Sequence, residues 1–66
     1  MIDIGTIKMR MPNGRKSAIN VSVLDDGTVD IVVQRSSEGE ALIRLPRDTA
    51  RQLSHLLAKA AFIPTT

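Results

Sequence analysis

The sequence predicts an α+β domain: a four-stranded antiparallel β-meander followed by one C-terminal α-helix packed on one sheet face (ββββα), all within a single domain over residues 1–66. Three observations carry this. Apolar and polar residues alternate through four stretches before Pro46, at the period of two that half-buried strands require. Short turns separate the stretches, each with a glycine: Pro12-Asn13-Gly14, Asp25-Asp26-Gly27 and Ser36-Ser37-Glu38-Gly39. After Pro46 the apolar spacing changes to that of a helix. Loops this short pair consecutive strands, so a meander is the economical topology.

The first strand spans residues 2–11. Ile7, Met9 and Met11 alternate with Lys8 and Arg10, but Ile2 and Ile4 are out of phase with them. A bulge or kink at Gly5-Thr6 brings both sets onto one face. The second strand, residues 17–24, sets Ile19, Val21 and Val23 against Ala18, Asn20 and Ser22. The third, residues 28–35, sets Val29, Ile31 and Val33 against Asp30, Val32 and Gln34. The loop between these two fixes their register. A two-residue loop at Asp26-Gly27 would put Val21 and Ile31 on opposite faces. A three-residue loop, Asp25-Asp26-Gly27, pairs Val23 with Val29, Val21 with Ile31 and Ile19 with Val33. The odd-length loop is therefore expected, with Gly27 left-handed.

The fourth strand, residues 40–45, points Ala41, Ile43 and Leu45 inward and Leu42 and Arg44 outward. Pro46 ends it and suits the start of a helix, because it lacks an N–H that would go unpaired there. The helix spans residues 47–62. Ala50, Leu53, Leu56, Leu57, Ala60 and Ala61 form its apolar stripe, with Arg51, Gln52, His55 and Lys59 opposite. Asp48 suits the positive end of the helix dipole. Pro64 closes the segment, and Thr65-Thr66 is expected to fray.

Composition excludes several functions. Of the 66 residues, 42% are hydrophobic and 24% charged, which is ordinary for a folded soluble chain. No apolar run is long enough to cross a membrane. The beginning, Met1-Ile2-Asp3-Ile4, has no basic segment leading into an apolar one, so a cytoplasmic protein without a signal peptide is expected. The chain has no Cys and one His. Disulfides, thiolate chemistry and Cys- or His-rich metal sites are thereby excluded. His55 has no nucleophile or orienting acid in a catalytic pattern and reads as a solvated helix-surface residue. The Asp25-Asp26 pair is accounted for by turn chemistry, and its spacing to Asp30 is not that of a calcium loop. The glycines stand alone, so none forms a phosphate-binding loop. No enzyme and no cofactor are expected.

The basic residues are the functional lead. Net charge is only +2, so their distribution matters more than their sum. Lys8 and Arg10 share one face of the first strand, and Arg15 and Lys16 lie at its hairpin tip. Arg47, Arg51 and Lys59 form a stripe along the helix. Clustered cations of this kind serve phosphate binding. The four-strands-then-helix order resembles the positive-cofactor-four type of single-stranded DNA-binding coactivator, through the stretch from Gly5 to Arg10 and through Ile43-Arg44-Leu45-Pro46 leading into Leu53. That resemblance implies a nucleic-acid ligand, although the strands carry no aromatic residue for base stacking. The expected function is a small regulatory protein that binds DNA or RNA. The alternative is a protein-interaction module, such as a phage- or plasmid-encoded inhibitor or a subunit of a larger assembly, for which alternating acidic and basic segments are suited.

A homodimer is also expected. Domains near 60 residues bury only about 60% of their unfolded surface. Phe62 is the only aromatic residue available to a core. Leu24, Val32 and Leu42 are apolar on the otherwise polar outer face, and are the expected dimer contact.

Overall fold

A computed structural model describes residues 1–35 and 39–64. Its elements are β1 (Ile2–Arg10), β2 (Lys16–Val23), β3 (Val29–Arg35), β4 (Gly39–Leu45) and α1 (Arg47–Ala61). The strands form one antiparallel sheet in the order β1-β2-β3-β4, so β1 and β4 are its edges. The expected ββββα order is observed.

The register follows from local chemistry. Val23 pairs with Val29, Val21 with Ile31 and Ile19 with Val33, as the odd-length loop requires. Leu24 N–H donates to the Thr28 carbonyl at 2.8 Å and closes the three-residue loop over Asp25, Asp26 and Gly27. Gly27 has φ 87°, in the left-handed region where a Cβ is disfavoured. The first hairpin uses the same device. Met11 N–H donates to the Arg15 carbonyl at 2.7 Å around Pro12, Asn13 and Gly14, and Gly14 has φ 85°. In each loop the middle side chain accepts a backbone N–H two residues on: Asn13 Oδ1 from Arg15 at 3.0 Å, and Asp26 Oδ1 from Thr28 at 2.9 Å. The loop expected at Ser36, Ser37 and Glu38 lies outside the described residues, as does the Thr65-Thr66 tail. Its flanks pair Arg35 with Gly39 and Val32 with Leu42, which puts the last two on one face.

The kink expected at Gly5-Thr6 is found slightly earlier. Asp3 pairs with Ser22 and Gly5 with Val21, leaving Ile4 as the extra residue. This bulge restores the phase, so Ile2 opposite Val23 and Ile7 opposite Ile19 lie on the same face. That face is aliphatic across all four strands, as the rows Val23–Val29–Leu45, Val21–Ile31–Ile43 and Ile19–Val33–Ala41 show.

One expectation is corrected. The helix does not pack on this face. No residue of α1 is buried, and its contact with the sheet is marginal. The reason lies in the junction. β4 ends at Leu45 and α1 begins at Arg47, so Pro46 is the whole connection. With φ −59° and ψ 155°, Pro46 stays extended up to the first helical turn. No loop is present to fold the helix back. Among the described residues no apolar side chain is buried, and the two buried residues are the polar Ser22 and Asp30.

Candidate functional site

The strands place the cations of β1 and β2 at one end of the polar face. Arg10 stands directly opposite Lys16. One step along, Lys8, Ala18, Gln34 and Glu40 form a row across the whole sheet. Together with Met9, Ser17, Arg35 and Gly39 these residues line an open groove of about 890 Å³. Among the described residues, its charged groups are Lys8, Arg10, Lys16 and Arg35 and the carboxylate of Glu40. That carboxylate is already engaged, since its Oε1 accepts from Gln34 Nε2 at 2.9 Å. Groups clustered this way raise the local positive potential well above what a net charge of +2 implies.

Arg35 is a groove residue that the sequence pattern did not bring forward. It pairs with Ser17 in the Met9–Ser17–Arg35–Gly39 row, so the β2–β3 register fixed by the three-residue loop at Asp25-Asp26-Gly27 puts it at the end of the sheet face opposite Lys8, Arg10 and Lys16, from which it lines the groove. The signal was thus present in the odd-length loop. Arg15 is not among the lining residues. It sits at the hairpin tip, exposed, with its N–H held by Asn13.

The helix cations lie elsewhere. Arg47, Arg51 and Lys59 are exposed on α1, which leaves the sheet beyond Leu45 on the edge strand β4. The groove is at the other end of the strands and reaches the opposite edge strand, β1. Within one chain, the two basic clusters are separate. His55 is exposed on the same helix.

The rest of the polar face is internally satisfied. Arg44 grips Asp30 through two hydrogen bonds, Nε to Oδ1 at 2.8 Å and Nη2 to Oδ2 at 3.2 Å. This contact holds the Arg44 guanidinium pKa above its ordinary value, chiefly through the hydrogen bond and then through the carboxylate charge. The Asn20 amide donates to Asp3 Oδ1 at 2.9 Å, Thr6 Oγ1 at 2.8 Å and the Gly5 carbonyl at 3.2 Å. It therefore ties the bulge of β1 to β2. Val32 and Leu42 form a two-residue apolar island on this face, with Leu42 exposed and Val32 half-buried. Leu24 is half-buried beside the second loop.

No group of three His, Cys, Asp or Glu is placed to hold a metal ion among the described residues, and no described helix is long and apolar enough to cross a membrane. No family model matches this chain, and comparison with curated proteins and with solved structures finds no match. What the groove offers chemically is a set of cationic donors beside the amide of Gln34 and the carboxylate of Glu40.

Proposed function

We propose that this chain is a non-enzymatic nucleic-acid-binding protein. It takes the phosphate backbone of DNA or RNA in the groove formed by Lys8, Arg10, Lys16 and Arg35. The supporting observation is that strand register gathers Lys8, Arg10 and Lys16 at one end of the polar face, with Arg35 reaching the same groove from the other face. Binding of this kind is electrostatic and indifferent to sequence, because the groove offers cations but no aromatic ring to stack on a base. Arg47, Arg51 and Lys59 form a second basic stripe that a long ligand would reach only from outside the groove.

Fluorescence anisotropy with labelled single-stranded and duplex oligonucleotides tests this. Affinity should fall as salt rises. Four neutralised phosphates on a single strand give a log–log slope of about −2.8. Lys8→Glu with Lys16→Glu should abolish binding at low salt, and Arg47→Glu with Arg51→Glu should weaken it less. Absence of binding to either oligonucleotide at tens of micromolar protein would sink the proposal and favour the protein-interaction alternative.

A further inference from the structure

We propose that a second copy of this chain covers the apolar sheet face and the apolar stripe of α1, forming a two-fold symmetric dimer. Surface area gives the first argument. A compact monomer of 7.2 kDa exposes about 4,100 Å² by the scaling of surface with mass. This chain exposes 5573 Å², an excess of about 1,500 Å² over that scaling. Removing the excess from two chains buries about 3,000 Å², within the range of obligate dimers.

Where the excess lies gives the second argument. Ile2 and Ile7 on the apolar sheet face are each 64% exposed, and Leu56 and Leu57 on α1 are 65% and 61% exposed. A sheet face wants a covering layer, and an amphipathic helix is such a layer. Pro46 keeps the two apart within one chain. Their sizes match: a 15-residue helix is about 22 Å long and strands of 7–9 residues span about 23–30 Å. Two copies related by a two-fold axis supply each other with what each lacks, and an isologous contact closes without leaving further open surface. The chain has no Cys to staple so small a fold by a disulfide. This interface is on the face opposite Val32 and Leu42, and it leaves Lys8, Arg10 and Lys16 on the polar face uncovered, whereas Met9 and Arg35 lie at the end of the covered face. The dimer therefore presents two such cation clusters.

Light scattering on the purified chain at tens of micromolar tests the dimer directly. The expected mass is twice 7.2 kDa. The mass of one chain, folded or unfolded, overturns the proposal, and so does any other assembly. A folded single chain would mean that α1 folds back on its own sheet; an unfolded one would mean that another protein is the required partner. Two double variants then locate the interface. Leu56→Glu with Leu57→Glu should abolish the two-chain mass. Val32→Asp with Leu42→Asp should retain it, together with the wild-type circular dichroism. The reverse pattern would put the interface on the polar face and overturn the assignment. Lys8→Glu with Lys16→Glu should remain dimeric, so failure of the nucleic-acid reading and failure of the dimer are separately visible.

Discussion

The two faces of the sheet solve opposite problems. On the polar face, Asp30 finds Arg44, Glu40 finds Gln34, and Asn20 finds Asp3 and Thr6. Each of these groups is satisfied by a neighbour within the sheet plane, because cross-strand side chains lie about 5 Å apart. The polar face also holds the only residues buried among those described, Ser22 and Asp30. On the apolar face, Ile7 and Ile43 remain 64% and 49% exposed even though each has a correct cross-strand partner. Pairing in the plane cannot remove apolar surface from water; only a second layer can. The chain therefore specifies its sheet laterally, while its apolar face stays exposed within a single chain.

Substitutions should divide along the same line. The largest effect belongs to the apolar face. Ile7→Asp should prevent cooperative folding at any concentration reachable in circular dichroism, since burial of each such side chain is worth about 1.5–3 kcal/mol and a carboxylate there has no partner. The in-plane order breaks less severely. Gly27→Ala should destabilise by about 1–2 kcal/mol through the left-handed backbone alone, because no atom lies within 4 Å of the position a Cβ would take. Gly27→Asn should recover part of that loss, since Asn tolerates the same region. Asn20→Ala on the polar face should cost about 0.5–1.5 kcal/mol, because the oxygens it releases return to water. Chemical denaturation of the three variants gives this order directly.

The smallest effect concerns pH. Hydrogen bonds from Thr28, through its side chain first and its backbone N–H second, hold Asp26 below its ordinary value of 3.8. A depressed carboxyl contributes stability above its unfolded value and loses it as pH falls through the folded one. Stability should thus decline as pH drops below 3.8, and Asp26→Asn should flatten that part of the curve. A wild-type acid limb left unchanged by Asp26→Asn would show that the loop carboxylate is not its source.

The difference between the faces also explains what was legible in the sequence. Period-two alternation with Asp25-Asp26-Gly27 was enough to give the β2–β3 register residue by residue, because a hairpin loop and its flanking pairs are decided within a dozen residues. The displaced phase of Ile2 and Ile4 pointed to a bulge and misplaced it only slightly, since Gly5 is the flexible residue but Ile4 is the one left unpaired. The helix was legible as a helix and not as to what it covers. Leu53, Leu56 and Leu57 have the same spacing whether they face their own sheet or a partner's. The candidate site was legible for Lys8, Arg10 and Lys16, which are local to one hairpin. Arg35 lies on the opposite face by the β2–β3 register and meets the groove only at the end of the sheet, which alternation alone does not reveal, and Arg47, Arg51 and Lys59 belong to a separate surface.

The proposed dependence of the sheet on a second chain is tested most directly by thermal unfolding of the wild-type protein over a hundredfold range of concentration. A dimer that unfolds to two chains gains about 2.7 kcal/mol across that range by mass action, which for chains of this length raises the midpoint by about 10 °C. A midpoint that stays constant while the transition remains cooperative would show that one chain closes its own apolar face, and would contradict the two-chain architecture.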